Sequence, residues 1–277
     1  TGDQNISSPI TNKLTAGING VGIYAGGNTG STLTYNGEIT VGDGTSAGTG
    51  IFVKSGSDVT LASGGKITLD GENGVGVYVE GNGEFTFDSG SSIIFNGFGI
   101  GIWGENGSVI NDNGTGTISS PTGAFIIRSR LANGIININA PGITLGNGSA
   151  GYVVNGEINN LSGSTLVTNP FSDNIIALIA EGYKVVGANT YETNNFGKIY
   201  LTNSSKGTAM YLKNARGMNE ANGIIVLGNE GVGLYGEEDS ATDLTELRNS
   251  GQIIMNSSSS QALYGKGISL IENNGKI

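Results

Sequence analysis

The chain contains no cysteine and no histidine among its 277 residues. Without cysteine there is no disulfide framework. Without histidine there is no Ser-His-Asp triad, no Cys-His pair and no ordinary zinc site. Proline is nearly missing, with 4 residues, so a collagen-like chain is excluded. Basic side chains are also few: 13 Lys and Arg face 23 Asp and Glu, a formal net charge of −10. Such a surface repels nucleic acid and anionic head groups, and neither is expected as a partner. No apolar run approaches the roughly 20 residues that a transmembrane helix needs. No signal-peptide pattern stands at Thr1, so an exported protein is represented here by mature sequence.

What is abundant is glycine, 50 of the 277 residues. The usual share is roughly 7%. Each interior glycine costs a helix about 1 kcal/mol relative to alanine, which argues against helical bundles. Disorder is opposed by 36% hydrophobic residues, a mean hydropathy of −0.04 and recurrent alternating Ile and Val. A disordered chain is poor in such β-branched residues. The composition therefore predicts a β protein with very many turns.

A motif of small, aliphatic and aromatic residue returns along the whole chain. It reads Gly22-Ile23-Tyr24, Gly50-Ile51-Phe52, Gly76-Val77-Tyr78, Gly101-Ile102-Trp103 and Gly123-Ala124-Phe125 in the first half. Ala150-Gly151-Tyr152, Ala177-Leu178-Ile179, Ala209-Met210-Tyr211, Gly233-Leu234-Tyr235 and Ala262-Leu263-Tyr264 continue it, at intervals of 22 to 32 residues. A Gly-x-Ile strand keeps pace, as in Gly37-Glu38-Ile39, Gly65-Lys66-Ile67 and Gly251-Gln252-Ile253, with a short alternating strand such as Leu33-Thr34-Tyr35 between the two. Turn sequences such as Asn36-Gly37 and Asn155-Gly156 separate them. Three short strands per period of 20–30 residues predict an all-β, right-handed parallel β-helix of about ten coils, spanning 1–277 as a single unit. At a strand spacing of about 4.8 Å the rod would be about 48 Å long.

Alternation assigns the faces. Charges gather two positions after the aromatic, at Lys54, Glu80, Glu105, Glu181, Lys213, Glu237 and Lys266, and belong outside. The aromatic shares that parity. Nine aromatics, Tyr24, Phe52, Tyr78, Trp103, Phe125, Tyr152, Tyr211, Tyr235 and Tyr264, are thus expected in one outer ladder. The aliphatic neighbours, Ile126 among them, and the Gly-x-Ile pairs from Ile39 with Val41 to Ile253 with Met255 should point inward, with Thr40 outward. The ladder has two readings: cross-strand stacking worth roughly 0.2–1 kcal/mol per pair, or an exposed stripe for sugars. The glycines are expected to permit positive φ and close coil stacking.

Irregular coils are where repeat proteins place binding loops. Ligand contact is accordingly assigned to Trp103 in the ladder, to Arg128 and Arg130 after the shortest interval, and to Tyr183, Tyr191 and Glu192 in the longest. Each loop also reads as plain solvated surface. Recurrent Gly-Gly-x-Gly-x-Asp is absent, and Asp70-Gly71-Glu72-Asn73-Gly74 lacks the spacing of a calcium loop, so no metal or cofactor is expected. Calcium at the acidic stretch 237–243 is an alternative. Scattered carboxylates do not make a glycosidase pair, and no enzyme activity is expected.

The repeats Asn19-Gly20-Val21-Gly22-Ile23-Tyr24-Ala25 and Asn73-Gly74-Val75-Gly76-Val77-Tyr78-Val79, with the Gly-x-Ile strands that follow, resemble the passenger repeats of type V autotransporter adhesins, most of all the large fusobacterial outer-membrane adhesins. The resemblance covers essentially the whole chain. It implies an exported, monomeric rod on the cell surface, anchored in the outer membrane by a barrel that this chain does not contain. It further implies virulence-related attachment to a host cell-surface receptor or glycan, or coaggregation with a partner bacterial surface. The chain stops in mid-repeat at Gly275-Lys276-Ile277, so a further coil is expected beyond it. A β-helical carbohydrate-active enzyme, a tailspike-like domain and a pure spacer are the alternatives.

Overall fold

The computed structural model describes residues 4–6, 14–16, 20–26, 31–42, 47–70, 73–97, 99–105, 107–118, 125–129, 134–146, 148–168, 172–182, 192–239, 244–267 and 270–277. These residues form 31 strands in three sheets of 11, 10 and 10, and every pairing is parallel. Each strand pairs with the third strand before it and the third after it, so the sheets are the three walls of a solenoid. The parallel β-helix expected from the repeat is the fold. We name the walls by their sequence: the aromatic sheet (Val21–Ala25 through Gln261–Lys266), the middle sheet (Gln4–Ile6 through Leu270–Asn273) and the Gly-x-Ile sheet (Leu14–Ala16 through Gln252–Met255).

The core consists of columns, one residue per coil. In the Gly-x-Ile sheet Ile39, Ile67 and Ile93 stack directly, as do Val41, Leu69 and Phe95 one step along, and all six are buried. In the middle sheet Tyr35, Leu61 and Phe87 are likewise stacked and buried. Two expected positions differ. Met255 is 39% exposed because it lies on the last strand of its sheet, with no strand above it. Thr40 is buried, flanked in register by Thr15 and Thr68.

The small residue of the motif sits at a kink. In Gly74–Val79 the side facing the core alternates until Gly76 and Val77, two consecutive buried residues, after which alternation resumes. The ladder shows the same break: Val75 pairs Thr49 and Val77 pairs Ile51, while Gly76 is passed over. A Cβ on Gly76 would stand 2.5 Å from the Gly101 carbonyl oxygen, and one on Gly50 would stand 2.5 Å from that of Gly76. Close approach is what the motif glycines supply. Left-handed backbone occurs elsewhere, at turn residues such as Gly64 (φ 87°) and Asn155 (φ 51°).

One inward column changes character along the rod. Below it is apolar, but at Asp112 a carboxyl is inserted between Phe87 and Ile138. Asp112 is buried and accepts the Gly114 N–H at 3.1 Å. Desolvation pushes its pKa up to about 7, against the weaker opposing pull of that hydrogen bond. The folded chain therefore holds a proton here that the unfolded chain has released. This contribution to stability is complete below the ordinary carboxylate pKa and is lost as pH rises towards 7. Asp112→Asn is expected to remove that loss, so the variant's advantage over the parent should grow by on the order of 2 kcal/mol between pH 5 and pH 8. Urea midpoints of both proteins at the two pH values check it. A constant difference would show that Asp112 does not titrate in this range.

From Asn160 upward the same column is amide. Asn160, Asn195, Asn219, Asn249 and Asn273 stack in successive coils. Each Nδ2 donates to the Oδ1 of the next, at 2.6, 2.7, 2.7 and 2.7 Å. Asn160, Asn195 and Asn219 have no exposed surface. Burying an amide is costly without partners, and the row supplies a partner to each from the next coil.

Candidate binding face

The outer face of the aromatic sheet carries the most regular surface feature. Register defines a column of ten: Tyr24, Phe52, Tyr78, Trp103, Arg128, Tyr152, Ile179, Tyr211, Tyr235 and Tyr264. The outward parity of the aromatics is borne out, since Phe52, Tyr78, Tyr211 and Tyr235 are half-buried between fully buried neighbours. The fifth rung is corrected. Phe125 pairs Ile100, and Arg128 takes the ladder position opposite Trp103. Ile126 falls at the kink position, and Ile127 pairs Ile102. The intervals of 22 and 27 residues read from the motif thus become 25 and 24, Trp103 to Arg128 to Tyr152.

Ring geometry decides between the two readings of the ladder. Tyr24 stacks on Phe52 with centroids 5.3 Å apart and planes at 14°, and Phe52 on Tyr78 at 5.1 Å and 18°. Tyr211 stacks on Tyr235 at 5.5 Å and 12°, and Tyr235 on Tyr264 at 5.2 Å and 27°. Within these stacks each ring face is covered by the next ring. Face-on stacking against a sugar needs a free π-face, and the inner rings do not offer one. The rings at the two ends of the column are the exposed ones: Tyr24 at 61% and Tyr264 at 41%.

The hydroxyls are held by the column of carboxylates beside the rings. Tyr152 donates to Glu181 at 2.9 Å and Tyr211 to Glu237 at 2.5 Å, each one coil on. Tyr235 reaches the other oxygen of Glu237 at 3.3 Å. Burial, and after it the hydrogen bonds to Glu105 and Glu237, hold the Tyr78 and Tyr211 phenols well above their usual pKa. The sequence had placed these carboxylates outside without linking them to the tyrosines. The signal was there, an aromatic followed one coil later by an acid two positions on.

Of the six residues assigned to ligand contact, three lie among the described residues: Trp103, Arg128 and Glu192. Trp103 and Arg128 are neighbours in the ladder. Arg130, Tyr183 and Tyr191 lie outside the described residues. Glu192 is 1% exposed and turned into the fold. Its Oε1 accepts Arg216 Nη2 at 3.0 Å, and its Oε2 accepts Arg216 Nε at 3.2 Å and the Arg216 backbone N–H at 2.7 Å. This carboxylate anchors the first residue of the strand Arg216–Asn219.

Two further surfaces are ordered. On the middle sheet an outer amide row links Asn194, Asn159, Asn137 and Asn111, each Nδ2 donating backward along the rod at 3.0–3.1 Å, and Asn111 donates to Glu84 at 2.8 Å. Along the turns between the middle and Gly-x-Ile sheets lies an open groove of about 410 Å³, lined by Asn222, Gly223, Ser250, Gly251, Asn274 and Lys276 among others. Lys276 is the one charged group on it among the described residues. The acidic stretch at 237–239 is engaged internally: Glu238 accepts the Thr245 N–H at 2.8 Å and Asp239 pairs Lys213 at 3.0 Å. Among the described residues no group of three or more His, Cys, Asp or Glu is placed to hold a metal ion.

No protein-family model and no curated protein matches this chain. Among solved structures it aligns with the crystal structure of a TibC-catalysed, hyper-glycosylated TibA55-350 fragment, at 17% identity, over 95% of this chain and 99% of that one. The TM-score is 0.18, too low for the alignment to bear on function. The chain's architecture therefore rests on its own ladders: a parallel β-helix whose most ordered outer surface is a column of stacked aromatics latched by acids.

Proposed function

We propose that this chain is a segment of the surface-exposed passenger of a bacterial autotransporter adhesin, most like the fusobacterial type, and that it takes part in attachment without catalysis. One observation carries the reading. The sequence repeat that resembles such passengers coincides with the solenoid's ladder at nine of its ten rungs from Tyr24 to Tyr264, the exception being the rung of Arg128. The proposed setting is the outside of the cell, with a membrane barrel elsewhere in the protein. The proposed partner is a host receptor or glycan, or another bacterium's surface.

A second reading, a stalk that only spaces other segments, is favoured by the ring geometry, because the inner aromatics stack on one another. The two readings separate in one experiment. The purified chain, fluorescently tagged, is applied to a glycan array, to epithelial cells and to a panel of oral and gut bacteria. A segment that binds gives saturable retention that excess untagged chain competes away. Retention no greater than that of an unrelated β-helix on every surface would leave the stalk reading and remove the adhesive one for this segment.

A further inference from the structure

The two three-ring stacks differ in one respect with chemical consequences. In the lower stack Phe52 separates Tyr24 from Tyr78, so its phenols are two rungs apart. In the upper stack Tyr211, Tyr235 and Tyr264 are phenols on consecutive rungs, with centroids 5.5 and 5.2 Å apart and nearly parallel planes. The hydroxyls of Tyr211 and Tyr235 meet on the two oxygens of one carboxylate, Glu237. That carboxylate holds the hydroxyl ends of the two stacked rings side by side and stands within reach of their phenolic protons. Tyr264 is 41% exposed, so the stack is open to reagents at its upper end.

We propose that the Tyr211–Tyr235–Tyr264 stack is a site of oxidative modification, at which peroxide and a peroxidase-type one-electron oxidant join adjacent tyrosines of this chain into dityrosine. Each of two neighbouring phenols loses one electron to the oxidant and its hydroxyl proton, from Tyr211 and Tyr235 by way of Glu237. The two phenoxyl radicals couple through the ring carbons beside the hydroxyls, forming one Cε–Cε bond. The hydrogen on each coupled carbon then moves to the adjoining oxygen and restores both phenols. Two electrons and two protons have left, and they reduce one hydrogen peroxide to two waters. The product is a covalent staple between successive coils. Rings held on adjacent rungs at about 5 Å need no chain diffusion to couple, which is the proximity advantage of a preformed pair. Tyr24 and Tyr78 lack it, and Tyr152 has Arg128 and Ile179 rather than tyrosines on its neighbouring rungs.

The test is built into the sequence. Lys206, Lys213, Arg216, Arg248 and Lys266 put Tyr211, Tyr235 and Tyr264 on three separate tryptic peptides. The purified chain is treated with horseradish peroxidase and hydrogen peroxide at low protein concentration, digested and analysed by mass spectrometry. The expected products are the 211–235 and 235–264 cross-linked pairs, each lighter than the sum of its peptides by two hydrogen atoms, together with dityrosine fluorescence in the monomer band. Tyr235→Phe retains the stack, as Phe52 does below, and should remove both pairs and the monomer fluorescence. Glu237→Gln should slow formation of the 211–235 pair, both of whose protons leave by way of Glu237, more than that of the 235–264 pair, which sends only one that way. Cross-links spread evenly over Tyr24, Tyr78 and Tyr152, or found only between molecules, would overturn the proposal. So would dityrosine that survives Tyr235→Phe within the monomer.

Discussion

Arg216→Ala is expected to destabilise the coils around 192–219 by about 3–5 kcal/mol, because it leaves the Glu192 carboxylate buried and without its guanidinium. Arg216 and Glu192 are 7% and 1% exposed at the side chain, and the Arg216 side chain makes two hydrogen bonds across the pair. The attraction itself is not the source of the loss, since desolvating both charges offsets most of it. The loss comes from stranding one partner. A double variant, Glu192→Leu with Arg216→Met, should therefore recover most of the stability. Solenoids behave as one-dimensional stacks in which damage stays near its own coil. Amide hydrogen exchange resolved along the chain is the suitable measurement, with protection falling in 192–219 and staying near the parent level in 49–87. Unchanged protection in the single variant, or failure of the double variant to recover, would contradict this account.

Asn219→Ala should act on a similar scale for a different reason. Asn219 accepts from Asn195 and donates to Asn249, both at 2.7 Å, and all three side chains are buried. Removing it leaves one donor and one acceptor buried without partners, at about 1–3 kcal/mol each, so roughly 2–6 kcal/mol in all. The outer amide row provides the control. Asn137 is half-exposed and bonds Asn111 at 3.0 Å, and water can replace what Asn137→Ala removes, so that loss should stay below about 1 kcal/mol. Denaturant midpoints of the two variants, compared at equal m, check the contrast. Equal losses would mean that the inner row is not specially dependent on its neighbours.

The two amide rows also show where reading the sequence stops. Asn159 and Asn160 are adjacent, and one belongs to the outer row and the other to the inner. Nothing in their type separates them. Alternation says that they face opposite ways, and burial alone says which way is in. Asparagine at an inward position reads as a turn residue until the asparagine of the next coil is seen above it. The partner of Asn160 is Asn195, 35 residues on, across the longest coil.

Glu192 is the same lesson for a charge. Within a long, polar interval it reads as loop surface, and its burial depends on Arg216, 24 residues away, arriving one coil later at the same height. Arg128 was misplaced by counting the motif: Phe125 looks like the aromatic of its coil, and only hydrogen-bonded register reveals Arg128 on the rung between Trp103 and Tyr152.

The sequence by itself determined the class of fold. Fifty glycines, too few charges and no long apolar run left a β protein with many turns, and the period made it a parallel solenoid with the aromatics outside. These properties are local or periodic, and a single chain carries them in full. The tertiary structure decided everything that needs two coils at once: which rings cover each other's faces, which amides form a continuous row, which acid is latched by a tyrosine and which is buried against an arginine. Each of these pairs lies one coil apart, at a sequence separation that varies with every loop, and only the stacking brings its two members to the same height.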